Sequence, residues 1–412
     1  MSEWKTYKLG KDVVAKLGDG LHGTPIYDDN GEYYFINGSN LVDGKIVINS
    51  NTKKVTEEEY VKYKKELSDK TILLGINGTI GNVAIYNNEK CILGKSAAYL
   101  NINDGFDKQF IRYVLTNDHF QNYIKNNASG TTIKNVGLGL LREYEFSAPK
   151  DKAEQQQIAQ ILTSFDDKIE LNLQMNQTLE VMAQAIFKEW FVNFKFPNFD
   201  GELKDGIPKG WKKGKVIEQF EVTDYVANGS FASLAENVQY KNEPDYAILI
   251  RLTDYNRGFN GDFVYLNEHS YNFLNKSKLF GDEIIIANVG ANAGDVFRAP
   301  YLNRPMSLGP NAIMIKNNNA TNYLYSYLIS ELGQHSLKSI IAGSAQPKFN
   351  KTDFRRLELI FPDDIILNLF NDIYESINKK LLSNKSQIQT LTQTRDTLLP
   401  KLMSGKIEIK EN

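Results

Sequence analysis

Thr71-Ile-Leu-Leu-Gly75-Ile-Asn-Gly-Thr-Ile-Gly81-Asn-Val-Ala-Ile85 reads as an apolar strand running into a glycine-rich turn. The same design returns as Gly281-Asp-Glu-Ile-Ile-Ile-Ala-Asn-Val-Gly-Ala-Asn-Ala-Gly294-Asp-Val-Phe297, and Gly81 and Gly294 lie 213 residues apart. Working outward, Ala128-Ser-Gly130-Thr-Thr132 answers to Ala342-Gly343-Ser-Ala-Gln346, with the glycines again 213 apart. The apolar stretches that follow close on Pro149 and Pro362 at that same offset of 213. The openings match too: Trp4-Lys5 pairs with Trp211-Lys212 at an offset of 207, so the second copy carries six extra loop residues. A constant offset of this kind marks a tandem duplication with diverged variable parts.

Each copy ends in a heptad pattern. In the first, apolar or seam residues step 4-3-4-3 through Ile158, Leu162, Phe165, Ile169, Asn172, Asn176, Leu179, Ala183, Ile186 and Trp190. In the second they run Phe370, Tyr374, Ile377, Leu381, Asn384, Ile388, Leu391, Arg395, Leu398, Leu402. Sustained stepping of this kind predicts long helices packed along a coiled-coil seam, each roughly 50 Å long at the α-helical rise. Asn172, Asn176 and Asn384 are expected to set the register, because slipping a buried seam amide leaves it unpaired. If the copies are related by a pseudo-two-fold axis, the helices run antiparallel. The fold class is then α+β, with two pseudo-two-fold-related α/β domains separated by two long antiparallel coiled-coil helices. The expected boundaries are 1–150 for the first globular domain, 151–193 for the central helix, 194–361 for a linker and the second globular domain, and 362–412 for the C-terminal helix and tail.

A chain of 412 residues exceeds one ordinary core. Its 42% apolar and 24% charged content is globular rather than disordered or fibrous. No apolar run is long enough to cross a bilayer, and the opening lacks the layout of a secretion signal. A cytoplasmic location is the simplest expectation. The single cysteine, Cys91, excludes an internal disulfide and a cysteine-built zinc site. Net charge is −2, with 19 Lys+Arg against 18 Asp+Glu in residues 1–150 and 18 against 17 in 201–361. Residues 151–200 are acidic, 4 against 8. Without a basic excess, any contact with nucleic acid must be local, shape-based or shared with a partner.

Chemistry-bearing motifs are scarce. Gly94-Lys95-Ser96 resembles the end of a phosphate-binding loop, but Glu89 occupies the position where its first glycine belongs. His22, His119, His269 and His335 have no second ligand at metal spacing. No catalytic residue, metal ligand or cofactor loop is expected in this chain. Recognition surfaces are more promising. The loop of the first copy carries Ser129, Thr131, Thr132 and Lys134, and that of the second carries Ser344, Gln346 and Lys348. The glycine turns add Asn77, Asn288 and Asn292, and polar segments near the start of each domain add Asn37, Ser39, Arg251 and Thr253. Amides and arginine read base edges in the major groove, while hydroxyls and lysines suit phosphates. Singly, each of these residues also fits an ordinary capped turn. As a duplicated set they fit a reader of a split, asymmetric site.

Several stretches together resemble a known family. They are Gly206-Ile-Pro-Lys-Gly210-Trp211, Ala148-Pro149 leading into Glu154-Gln155-Gln156-Gln157-Ile158, Leu179 through Phe191, and above all Thr397-Leu-Leu-Pro400-Lys-Leu-Met-Ser-Gly405-Lys-Ile407. Over almost its whole length the chain resembles the specificity subunits of type I restriction–modification systems. The resemblance implies two target-recognition domains, each reading one half of a bipartite site in double-stranded DNA, with a spacer set by the paired helices. It also implies two modification subunits that carry S-adenosylmethionine and methylate adenine. Two restriction subunits using ATP and Mg would join them, leaving this chain non-catalytic and without a cofactor of its own. Family members often carry a conserved segment before the first recognition domain, whereas Trp4 begins it here almost at once. How that domain closes against the C-terminal end is left open. The rival reading is a non-DNA scaffold, a duplicated protein-binding module on a coiled coil.

Overall fold

The computed structural model of the chain describes residues 3–407. Contacts divide it into two units: one runs to Gln174 and resumes at Asn384, and the other runs from Met175 to Ser383.

The first unit is closed by a clasp in which β1 (Trp4–Lys8) pairs antiparallel with a late strand, Glu145–Pro149, Trp4 facing Pro149. Between them lie β2 (Val14–Asp19), β3 (Thr71–Gly75), β4 (Val83–Ile85) and β5 (Ala97–Ile102), with Glu145–Pro149 as β6. The sheet order is β2-β5-β3-β4, antiparallel throughout. The Ile72-Leu73-Leu74 run does not alternate with polar residues because both sheet faces are covered. Ile72 and Leu74 pack on one face with α1 (Lys108–Thr116) and α2 (Asp118–Asn127) through Phe110, Val114 and Phe120. Leu73 points to the other face, where it meets Ile36 and Leu93 of a smaller sheet. In that smaller sheet Tyr33–Ile36 runs parallel to Cys91–Leu93. Cys91 is buried there, and desolvation pushes its thiol up to about 12.

The second unit repeats the plan. Its clasp pairs β7 (Lys212–Lys215) with the strand Glu358–Phe361. Its sheet is built from β8 (Val222–Asp224), β9 (Ile284–Ala287), β10 (Val296–Arg298) and β11 (Ala312–Ile315), in the order β8-β11-β9-β10. Ile284 and Ile286 face one core and Ile285 the other. The covering sheet again has a parallel pair, Ala247–Ile250 with Met306–Leu308. The 213-residue offset is therefore an offset between equivalent strands and turns.

Two long helices carry the heptads. α3 (Lys152–Phe187) ends in a single π turn, Lys188–Val192, beside a cluster in which Phe191 meets Trp211, Tyr323 and Phe370. The second unit also contributes two short helices, α4 (Thr321–Ile329) and α5 (Glu331–Ile340), before α6 (Asp364–Leu402). Every seam position named from the sequence is buried or half-buried, with Asn172, Asn176 and Asn384 all buried. Within the first unit the helices run antiparallel: Asn172 Nδ2 donates to Gln387 Oε1 at 3.3 Å, and Arg395 Nη1 donates to Asp166 Oδ1 at 2.8 Å. The C-terminal end also closes the first domain. Leu398, Leu399, Leu402 and Met403 pack with Trp4 and Leu162, and Gly405, at φ +68, lets the Trp4 ring come so near that a Cβ would lie 2.9 Å from it.

Asp166 is the polar knot of the first unit. Besides Arg395 it accepts from Arg112 Nη2 at 2.5 Å and from the Tyr113 hydroxyl at 2.6 Å, so one carboxylate joins α1 to both long helices. Burial alone would raise its pKa; the hydrogen bonds from Tyr113, Arg395 and Arg112 outweigh that and hold it below the ordinary carboxylate value. A depressed carboxyl contributes stability above its unfolded pKa and loses it as pH falls through the folded one. Asp166→Ala should therefore cost about 3 kcal/mol in urea denaturation at neutral pH, and the difference from the natural chain should shrink as the medium is acidified below the carboxylate range. Glu170, whose ion pair with Lys45 is largely in water, is the contrast: Glu170→Gln should change stability by less than about 1 kcal/mol.

Candidate nucleic-acid interface

The glycine turns and the later loops form one composite surface in each unit. In the first, the turn after β3 is closed by Gly75 N–H donating to Asn82 O at 2.7 Å and Gly81 N–H to Gly75 O at 2.9 Å. Gly81 takes φ +87, a left-handed conformation that favours glycine. The 128–136 loop folds as a small hairpin in which Ser129 and Asn135 exchange backbone hydrogen bonds of 2.8 and 2.9 Å. It docks on the turn through Val136 N–H to Ile76 O at 2.8 Å and Gly78 N–H to Lys134 O at 3.0 Å. The second unit repeats these bonds: Ala342 and Lys348 exchange two of 2.9 Å, Phe349 N–H donates to Asn288 O at 3.1 Å, and Gly290 N–H to Pro347 O at 2.9 Å.

This frame projects some of the expected recognition residues and spends others on its own bonds. Thr131, Thr132 and Lys134 are exposed on the first hairpin, and Ser344, Gln346 and Lys348 on the second. Asn292 is exposed at the tip of the second glycine turn. Asn77 Nδ2 donates to Asn135 Oδ1 at 3.1 Å, and Asn288 Nδ2 to Phe349 O at 3.2 Å, so both amides tie turn to hairpin. Ser129 is exposed, with its hydroxyl donating to Asn135 O at 3.2 Å. Asn37 accepts from Ser96 Oγ at 2.9 Å and its N–H donates to Asn40 Oδ1 at 3.0 Å, leaving Ser39 as the exposed member of its segment. Arg251 closes on Asp254 through Nε at 3.0 Å and Nη2 at 2.7 Å. That hydrogen bond holds the guanidinium above its already high pKa, and Thr253 is the exposed neighbour.

The structure also adds residues to the rim. The segment Asn37-Gly38-Ser39 lies against the first glycine turn: a Cβ on Gly38 would sit 2.9 Å from Ser96 O and 3.3 Å from Thr79 O. Lys95 is exposed there and Ser96 Oγ accepts from Gly38 N–H at 2.9 Å, so the segment dismissed as a phosphate loop stands on the same surface. In the second unit Asn288 N–H donates to Asn311 O at 3.1 Å and Gly309 N–H to Ile250 O at 2.8 Å. The Gly309-Pro-Asn311 segment thereby joins Arg251 to the turn. By its bonds Gly309-Pro-Asn311 is the counterpart of Gly94-Lys95-Ser96, Gly94 N–H donating to Ile36 O at 2.8 Å as Gly309 N–H does to Ile250 O, but at an offset of 215 that a search at 213 misses. No group of His, Cys, Asp and Glu among the described residues could hold a metal ion. The rims offer amides, hydroxyls, backbone groups and single lysines, a chemistry for hydrogen-bonded recognition on a surface of low net charge.

The family described as type I restriction modification DNA specificity domain matches residues 1–181 and again residues 208–387. The chain belongs to that family, with one copy of the domain in each half. It is 28% identical over 427 aligned residues to the type I restriction enzyme MjaIX specificity subunit of Methanocaldococcus jannaschii, covering 99% of this chain and 94% of that one. It is 24% identical to the HindI specificity subunit of Haemophilus influenzae, covering 99% and 100%. The crystal structure of the type I restriction–modification S subunit from M. genitalium shares the fold, with a TM-score of 0.60 at 20% identity over 99% of this chain and 97% of that one.

The hairpins depend on their glycines. Gly130 has φ +90, and a Cβ there would lie 2.2 Å from Ile133 O. Gly130→Ala should cost about 1–2 kcal/mol or more and loosen the hairpin, read as faster proteolytic cleavage within 128–136. Gly137→Ala, at φ −67 with open space around it, should cleave like the natural chain.

Proposed function

We propose that this chain is the DNA sequence-specificity subunit of a type I restriction–modification complex. It reads a bipartite, asymmetric site, with one half-site per recognition domain. The observation that carries this is the duplicated rim: two frames with the same hydrogen bonds hold different side chains at the same places, Thr131-Thr132-Ile133-Lys134 in one and Ser344-Ala345-Gln346-Pro347 in the other. Equal frames with unequal tips suit a reader of two unequal half-sites. Membership of the DNA specificity family favours this reading over a duplicated protein-binding module.

The chain contributes sequence choice and geometry, and no bond chemistry. Two modification subunits, which bring S-adenosylmethionine, would dock on the long helices and methylate adenine. Two restriction subunits would bring ATP and Mg. The low net charge of the recognition domains fits a shared interface in which partners supply phosphate contacts. The distance along the paired helices would set the non-specific spacer.

The test is methylation mapping of DNA from cells expressing the chain with its modification subunit. A new split motif methylated on adenine is expected; a stable complex that leaves no new mark would overturn the proposal. Exchanging residues 128–136 for those of a relative should change one half-site alone. Inserting or removing whole heptads in α3 and α6 together should change the spacer while both half-sites persist.

A further inference from the structure

The two glycine turns are held from beneath by the same residue. Gln121, on α2, places Nε2 2.9 Å from Gly81 O and 2.7 Å from Leu115 O. Gln334, on α5, places Nε2 3.3 Å from Gly294 O and 2.9 Å from Leu328 O. Glutamines, glycines and leucines are each 213 residues from their counterparts. Leu115 and Leu328 lie in the last turns of α1 and α4, where carbonyls lack partners within the helix. A side-chain amide has two hydrogens, and here each is spent, one on the helix end and one on the turn. Capping the helix would need only the first.

What the clamp holds differs between the copies. The turns have the same base: Gly81 N–H donates to Gly75 O, and Gly294 N–H to Ala287 O. Their tips diverge, with Thr79-Ile80 between Gly78 and Gly81 but Ala291-Asn292-Ala293 between Gly290 and Gly294. Both turn glycines take a left-handed φ, +87 at Gly81 and +100 at Gly294, and in the first copy a Cβ would also lie 2.3 Å from Gln121 Oε1. The same support thus survives under tips of different length and chemistry.

We infer that Gln121 and Gln334 are positioning residues for base recognition, each fixing the height of its own glycine turn, and with it the docked hairpin, against the sheet. The inference rests on the DNA-reading role proposed above. A clamp on one turn acts on one half-site only, because each turn is bonded to the hairpin of its own unit.

The test uses the full chain with its modification subunit, assaying methylation of duplexes that carry the correct motif or a single base change in either half-site. Gln121→Leu keeps the bulk and removes both donors. It should lower discrimination at one half-site by roughly tenfold, about the share of a single base contact, while the other half-site keeps its ratio. Gln334→Leu should do the converse. Gln121→Glu and Gln334→Glu, which also cannot donate when ionised, should show the same division and serve if a leucine variant fails to fold. A merely structural role would lower all rates in proportion to the folded fraction and leave both ratios unchanged. Unchanged ratios, or equal losses at both half-sites, would overturn the inference while the DNA-reading role stands. A natural complex that discriminates at neither half-site would overturn both.

Discussion

A strand buried on both faces has nowhere to carry recognition except at its ends. Ile72, Leu73 and Leu74 are fully buried, as are Ile284, Ile285 and Ile286, because helices cover one face of each sheet and a second sheet covers the other. Changing any of these side chains alters a close-packed core, where even a methylene is felt. The turns after the strands are free of that constraint once their backbone bonds are made. In each unit those bonds come from a glycine in the left-handed region, a docked hairpin and a glutamine from below. The rim can then vary in sequence without disturbing the sheet.

The long helices face a different demand, holding register over about ten turns of helix. Apolar seams resist sliding only weakly, because one leucine resembles the next. Polar groups at fixed points resist it strongly. Asn172 has a partner only where Gln387 stands, and Asp166 only where Arg395, Arg112 and Tyr113 converge. Slipping one helix past the other by a turn would pull Arg395 from Asp166 and Asn172 from Gln387, even though Arg395 keeps Asp396 beside it on its own helix. Such a device favours a spacer of defined length, which a reader of two separated half-sites requires.

Equal frames with unequal tips also account for the low net charge. Discrimination between bases comes from hydrogen bonds to base edges, whereas lysine and arginine in bulk add affinity for any sequence. The groups left exposed on the rims are mostly hydroxyls and single lysines, with Asn292 and Gln346 as exposed amides. Arg251, beside the rim of the second unit, is engaged by Asp254.

The duplication and the long helices were legible in the sequence, because periodicity and a constant offset survive divergence. Thr71 to Ile85 marked a strand and its turn, and the 4-3 stepping marked the seams before any packing was seen; that both faces of the strand are covered came only from the packing. The division of labour on the rim was not legible. Asn37, Asn77, Asn288 and Arg251 look like reading groups in sequence, yet each is bonded within the fold. Gln121 and Gln334 look like ordinary helix residues, yet each bridges two elements. An amide or guanidinium is recognised by type in a sequence, but what it does depends on which donor or acceptor lies within about 3 Å, and such partners are brought together only by the packing of segments distant along the chain. Sequence by itself determined that there are two similar frames joined through long helices; tertiary structure alone decided which polar side chains build a frame and which are left facing outward.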